Sequence, residues 1–329
     1  MKKRKLGTIE VSEIGMGCMG FSHGYGDVPP VEYSVEAIRR AYDFGCTFFD
    51  TAEGYGAGKN EELLGEAVKG FRNKVVLATK FGFRDYTPGN DAETETYMRE
   101  HLANSMKRLQ TDYVELYYLH RVNRDIAVET VAAIMGKFIK EGLIGGWGLS
   151  QVGIDTLAKA HAITPVSAVQ NLYNMLERDC EKEIFPFCLE NNVGVVPFSP
   201  VASGFLSGKV TAQTDFSHWD DVRKFVPQLS KENISRNQPV LDLLGKYAAD
   251  KKATNAQIAL AWMLHKYPNV VPIPGSKNQG RILENLGACN VELSDAEFTA
   301  LEIALAGINI HGHRGQVEYD GMSMKEWNR

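Results

Sequence analysis

The stretch Phe48-Phe49-Asp50-Thr51-Ala52-Glu53-Gly54-Tyr55-Gly56 joins an apolar run to an acid, and then to a glycine-rich turn carrying a tyrosine. Two later runs end the same way. Val75-Val76-Leu77-Ala78-Thr79 stops at Lys80, and Tyr113-Val114-Glu115-Leu116-Tyr117-Tyr118-Leu119 stops at His120. Short apolar runs rich in β-branched and aromatic residues read as buried strands. Packing explains their apolar interiors but not the polar residues at their exits.

Working outward, strand-like runs alternate with helix-period segments. Val31, Val35, Ile38 and Tyr42 mark one helical face, with Gly45 as its C-terminal stop. Met98, Leu102, Ser105, Met106 and Leu109 mark another, and Val131, Met135, Phe138 and Ile139 a third. The predicted strands are 13–17, 47–51, 75–80, 113–120, 144–149, 167–172, 194–199 and 270–273. Strict strand–helix alternation implies a parallel sheet with right-handed crossovers. Eight such units in this length predict an α/β fold, a (β/α)8 TIM barrel, with an open doubly wound sheet as the competing arrangement. In such a barrel the active site forms at the C-terminal ends of the strands, where Asp50, Lys80 and His120 fall. Lys5 to Val11, with Gly7-Thr8 between apolar residues, predicts an N-terminal hairpin plugging the barrel bottom. Helices near 279–287 and 294–306 are extra C-terminal elements. The expectation is a single domain over 1–329, with a long aperiodic connection at 201–235 and a polar tail at 307–329.

Composition fits that picture. The 329 residues are 44% apolar and 23% charged, with a net charge of -5, ordinary for a globular protein and weak grounds for a nucleic-acid partner. No apolar run approaches the ~20 residues of a membrane helix. Lys2-Lys3-Arg4-Lys5 precedes no apolar segment of signal-peptide type and reads as a solvated first strand. The cysteines, Cys18, Cys46, Cys180, Cys188 and Cys289, are odd in number and unpaired in spacing, which points to a reducing, cytoplasmic setting.

Several motifs are decoys. Gly15-Met16-Gly17-Cys18-Met19-Gly20 spells the dinucleotide fingerprint, but no helix opens at it, because Gly24, Gly26, Pro29 and Pro30 follow. It reads instead as a strand-exit loop. Gly54 to Asn60 and Gly204 to Val210 resemble phosphate loops, but each has one residue too few between its glycines and lacks Ser or Thr after the Lys. His311 and His313 sit in the polar tail without acidic or thiol partners, and no metal site is expected.

Together, the residues at the strand exits form an acid–base set. A free phenol is a poor acid at neutral pH, and a neighbouring ammonium lowers its pKa. Lys80 can supply that ammonium, with Asp50 as its counter-ion, and His120 can hydrogen-bond a substrate oxygen. This suits a carbonyl/alcohol pair, with electrons from a cofactor because no nucleophile is evident.

The ordered set resembles the aldo-keto reductase family, in its bacterial and plant branches, over roughly residues 5–306. The match includes Asp50-Thr51-Ala52 with Tyr55, Thr79-Lys80, Leu119-His120, Gly148-Leu149-Ser150, Val169-Gln170-Asn171, Phe198-Ser199-Pro200, Ile273-Pro274-Gly275-Ser276, and Arg281 with Glu284-Asn285. The resemblance implies an NADPH-dependent reductase of small-molecule aldehydes or ketones, bound to NADPH/NADP+ across the barrel mouth. It makes Tyr55 the general acid, Lys80 (paired with Asp50) the group that lowers its pKa, and His120 the residue that orients the carbonyl. It assigns Gly17, Cys18 and Met19 at the first strand exit to the cofactor site. Ser150, Gln151 and Gln170 surround the carboxamide, with Gln151 where the family often has Asn. Phe198 stacks on the nicotinamide. Ser199, Pro200, Val201, Gly204, Leu206 and Gly208 clasp the pyrophosphate. Gly275, Ser276, Lys277 and Arg281 meet the 2′-phosphate, and Glu284 and Asn285 the adenine. The resemblance leaves a second possibility, a cofactor-binding regulatory subunit of the same fold. A metal-dependent sugar isomerase barrel is disfavoured by the lack of clustered acids. Met19, Phe21, Tyr25, Trp147 and Trp219 are expected to give the substrate site an apolar, aromatic lining.

Overall fold

The structure, a computed structural model, describes residues 1–84 and 86–315. It opens with an antiparallel hairpin, β1 (Lys3–Leu6) and β2 (Ile9–Ser12). Seven parallel strands follow in sequential order: β3 (Met16–Gly17), β4 (Phe48–Asp50), β5 (Val76–Phe81), β6 (Val114–Leu119), β7 (Ile144–Ser150), β8 (Ala168–Gln170) and β9 (Gly194–Val195). Helices α1 (Val31–Asp43), α2 (Lys59–Ala67), α3 (Asp91–Leu109), α4 (Val128–Lys140), α5 (Ile154–Ile163) and α6 (Ile184–Glu190) connect them. Beyond β9 lie α7 (Lys231–Arg236), α8 (Gln238–Lys251), α9 (Asn255–Lys266), α10 (Gln279–Leu286) and α11 (Asp295–Ala306).

The ring closes through residues 270–275. Val270 bridges Val195 on one side, and Gly275 bridges Gly17 on the other, both in parallel. The Val271 N–H donates to the Val195 carbonyl at 2.8 Å, and the Gly15 N–H to the Pro272 carbonyl at 2.9 Å. The predicted eighth strand is present as isolated bridges, because Pro272 and Pro274 have no N–H for a continuous ladder. The strand expected over 194–199 shortens to β9 for the same reason at Pro197.

Alternation along each strand divides the side chains into two sets. Phe48, Ala78, Leu116, Tyr118, Ala168, Val196, Val271 and Ile273 fill the barrel interior, and Leu6 and Val11 of the hairpin pack into the same cluster from below. The hairpin is therefore the bottom plug. Outward-facing Phe49, Leu77, Tyr117, Trp147 and Val169 join the larger core beneath the helices. One pleat above the interior layer, two residues on, stand Asp50, Lys80, His120, Ser150, Gln170 and Phe198.

Two expectations change. Arg4 is not solvated. Its guanidinium donates to the carbonyls of Leu264, Tyr267 and Val270 at 2.5, 2.6 and 2.8 Å, tying β1 to the end of α9. On α1 the buried face is Ser34, Ala37, Ile38 and Ala41, while Val31 is 58% exposed, because small residues allow the close helix–barrel contact. The glycines at 15 and 17 are explained by crowding. A Cβ at Gly15 would lie 2.4 Å from the Phe48 ring, and one at Gly17 2.9 Å from the Ile273 carbonyl oxygen. The 201–235 connection is a series of short 3-10 turns ending in α7. Residues 307–315 of the tail run against it, and the rest of the tail lies outside the described residues. Among the described residues, no helix is long and apolar enough to cross a membrane.

Candidate active site

The C-terminal rim of the barrel opens into a cleft of about 370 Å³. At its base, Lys80 and Asp50 are 0% and 2% exposed. Lys80 Nζ donates to Asp50 Oδ1 at 2.5 Å, to the Thr51 carbonyl at 2.7 Å and to the Tyr55 hydroxyl at 3.4 Å. Gln170 Nε2 donates to the other Asp50 oxygen at 2.8 Å. Each group is where its strand puts it. Asp50 ends β4, Lys80 is the inward residue before the end of β5, and His120 follows β6 directly. Tyr55 comes from the turn before α2. Its ring is edge-on to His120, with centroids 5.7 Å apart, and edge-on to His23 on its other side at 5.3 Å.

Burial pulls the Lys80 ammonium down, but Asp50 and the Tyr55 oxygen more than offset it, so Lys80 keeps its proton. Burial pushes the Tyr55 phenol above the ordinary tyrosine value; Lys80 and Arg121 pull it back, and Asp50 adds to the rise. The expected lowering by Lys80 is thus present as a contribution but is outweighed by desolvation, and Tyr55 holds its proton at neutral pH. His120 is held well below its usual value, first by burial and then by the charges of Lys80, Arg121 and Arg84. It is a neutral imidazole in this setting. The arrangement offers a protonated phenol backed by an ammonium, beside a neutral imidazole that can donate one N–H.

Most of the expected cofactor residues line the cleft. Gly17 ends β3 and Met19 lies just beyond it. Ser150 and Gln170 stand beside Phe198. Ser199, Pro200, Val201 and Gly204 follow the β9 exit, and Gly275, Ser276, Lys277, Arg281, Glu284 and Asn285 form the far wall. Four do not line it. Cys18 and Leu206 are buried at 1% and 0% in the core, and Gly208 sits just outside, between the lining residues Ser207 and Lys209. Gln151 accepts the Leu172 N–H at Oε1 at 3.0 Å, and its buried Nε2 has no partner among the described residues. Of the residues expected to line the substrate site, Met19 and Tyr25 face the cleft. Phe21 is core. Trp147 points outward from β7 and donates to the Thr164 carbonyl at 3.2 Å, while Trp219 is 80% exposed.

The donor set suits a nicotinamide dinucleotide. Ser150 Oγ accepts from Arg121 and carries an O–H of its own, while Gln170, whose amide nitrogen donates to Asp50, carries an amide oxygen. One donor and one acceptor are what a carboxamide requires. Ser199, Ala202 and Ser203 have positive φ of 49°, 48° and 55°, values that non-glycine residues rarely adopt. The Ser203 hydroxyl is buried in the cleft wall and has no partner among the described residues. At the far end, Lys277 and Arg281 flank the start of α10, where helix N–H groups favour anions.

Sequence reasoning missed Arg121, Lys209, Arg223 and Arg314, which also line the cleft. Lys209 pairs with Glu284 at 3.0 Å, linking the 201–210 loop to α10. Lys277 Nζ donates to the carbonyls of Tyr25 and Asp27 at 2.9 and 2.6 Å, tying down the first strand-exit loop. The one available signal was Arg121 directly after His120; the others come from segments without periodicity.

Comparison with known proteins places this geometry. The Aldo/keto reductase family matches residues 13–306. A probable aldo-keto reductase 1 of Glycine max is 36% identical over 328 residues, covering 98% of this chain and 93% of that protein. Among solved structures, a glycerol dehydrogenase of Gluconobacter oxydans superposes with a TM-score of 0.82 at 25% identity, covering 93% of this chain and 95% of that one. An aldo/keto reductase of Klebsiella pneumoniae, solved in complex with NADP and acetate, gives a TM-score of 0.73 at 26% identity, covering 97% and 100%. The strand-exit residues, the closed barrel and the family match over nearly the whole chain agree: this protein is a member of the aldo/keto reductase family.

Proposed function

We propose that the protein is an NADPH-dependent reductase of small aldehydes or ketones. The observation that carries this reading is the Lys80 ammonium, held by Asp50 and facing the Tyr55 hydroxyl at the base of the cleft. Ser150, Gln170 and Phe198 would hold the ring end of a reduced nicotinamide dinucleotide, which would supply the hydride. The chain's own residues do the rest. Neutral His120 donates its N–H to the carbonyl oxygen and fixes its direction. Tyr55 is the general acid, delivering its proton to that oxygen as negative charge develops. Lys80 stabilises the phenolate left behind, and Asp50 and the Thr51 carbonyl hold Lys80 in place. A raised phenol pKa is compatible with this role, because an acid must keep its proton until the oxygen becomes basic. Lys277 and Arg281 favour a 2′-phosphate, since Arg recognises phosphate with a fork of donors and Lys adds a point charge.

A panel of aldehydes and ketones assayed by NADPH oxidation tests the reading. Turnover that is lost in Tyr55→Phe supports it. Tight NADPH binding without turnover on any carbonyl would replace it with a cofactor-binding regulatory role. For the cofactor, Arg281→Ala is expected to narrow the NADPH/NADH ratio of kcat/KM by about tenfold, the scale of one charge-assisted phosphate contact; an unchanged ratio refutes the contact.

A further inference from the structure

The cations of the cleft differ in what already occupies them. Arg223 pairs with Asp221 at 2.6 Å, and Lys209 with Glu284 at 3.0 Å. Lys277 holds two carbonyls, and Arg121 holds the His120 carbonyl and the Ser150 hydroxyl. Among the described residues two guanidiniums are not held in this way: that of Arg281, exposed on α10 and already assigned to the 2′-phosphate, and that of Arg314. The Arg314 guanidinium carries five N–H donors, yet among the described residues its one contact is from Nε to Ser199 Oγ at 3.5 Å, and it makes no ion pair within 4.0 Å. It is half-buried in the cleft wall, beside Ser199, whose φ is 49°.

The chain holds Arg314 there deliberately tightly. Asn237 exchanges two hydrogen bonds with the backbone of His311, both 2.8 Å, and the Gln228 N–H donates to the His313 carbonyl. Gly312, at φ +76°, lies so close that a Cβ would be 2.9 Å from the Gln228 nitrogen. The Arg314 N–H itself donates to Glu177 Oε1 at 2.6 Å. The backbone is therefore fixed at four points, while the guanidinium faces the cleft with most of its donors unused. A half-desolvated guanidinium in that state is a site for oxyanions.

We propose that Arg314 binds a carboxylate or phosphate oxygen of a ligand in the cleft, and so selects for it. The two sources are an acidic group on the carbonyl substrate and the pyrophosphate of the dinucleotide. The substrate arm rests on the reductase reading above; the cofactor arm does not.

The test compares wild type with Arg314→Gln and Arg314→Lys, using 4-carboxybenzaldehyde and 4-methylbenzaldehyde as near-isosteric acidic and neutral probes, and NADPH fluorescence titration. If the source is the substrate, Arg314→Gln lowers the acidic-to-neutral ratio of kcat/KM by about tenfold, and Arg314→Lys restores part of it. If the source is the pyrophosphate, NADPH Kd rises by a similar factor and the ratio stays constant. Either result supports the site. A ratio and a Kd both within twofold of wild type in a folded Arg314→Gln protein, judged by its melting temperature, overturn it. If wild type reduces neither these aldehydes nor any other carbonyl of the panel, the reductase reading is what fails, and the NADPH titration alone decides Arg314: an unchanged Kd then overturns the site.

Discussion

Tyr55, Lys80 and Asp50 act as a unit because burial makes each dependent on the next. Tyr55→Phe removes the proton donor and no cleft-lining cation. It is expected to lower turnover by about 10²–10⁴-fold, the usual worth of a positioned general acid, with NADPH Kd within about threefold of wild type. A parallel loss of affinity in a binding titration would contradict the role given to Tyr55. Lys80→Met leaves the Asp50 carboxylate buried beside Gln170 without its counter-ion. Removing one partner of a buried pair costs about 3–5 kcal/mol, so urea unfolding should show that loss together with the loss of activity; a variant of wild-type stability would mean that the pair does not hold the strand ends. The identity of these residues was legible in the sequence, because polar residues at strand exits have no packing reason to be there. Their protonation was not. The net rise of the Tyr55 pKa depends on desolvation, which only the closed site reveals. Arg314 was illegible for a different reason: nothing in a polar tail indicates which side chain returns to the barrel.

The elements were legible in proportion to their periodicity. The helix face read from Met98, Leu102, Ser105 and Leu109 is the buried face of α3, whose start is fixed by Asn90 accepting the N–H groups of Ala92 and Glu93. The face of α1 was misread because hydropathy favours Val31 over Ser34 and Ala37, whereas close packing favours small residues. The strands shortened at prolines, where pattern and hydrogen bonding conflict. Arg4 was read as solvated because charge alone was considered, yet it caps the carbonyls left open at the end of α9. Arg4→Ala should destabilise the fold by about 2–3 kcal/mol, since it leaves half-buried carbonyls without a charged donor. Denaturant unfolding checks this, and a cost below about 0.5 kcal/mol would return Arg4 to the solvated class.

For the molecule as a whole, the 307–315 strap and the 225–237 segment meet at Glu177, whose Oε1 accepts from the Arg314 N–H at 2.6 Å and from Gln228 Nε2 at 2.8 Å. Burial pushes its carboxyl up to about 7, with Asp179 adding to the rise. A carboxyl that binds its proton more tightly folded than unfolded weakens the fold once ionised. The penalty therefore begins above the ordinary value near ~4.3, grows through about pH 7 and is complete beyond it. Glu177→Gln keeps the acceptor and cannot ionise. Its melting temperature should exceed wild type at pH 8, with the gap closing toward pH 4.5; a gap independent of pH would remove Glu177 from the account. The ring itself carries one more consequence. Its last join lies between residues 270–275 and β3, more than 250 positions earlier in the chain. During synthesis, a chain that has grown past β9 but not to Val270 holds two unpaired sheet margins, with the cleft still split open. Such margins recruit other strands, so the barrel's most exposed moment is the interval while α7, α8 and α9 are being made, and a chaperone that shields β3 and β9 would act in that interval.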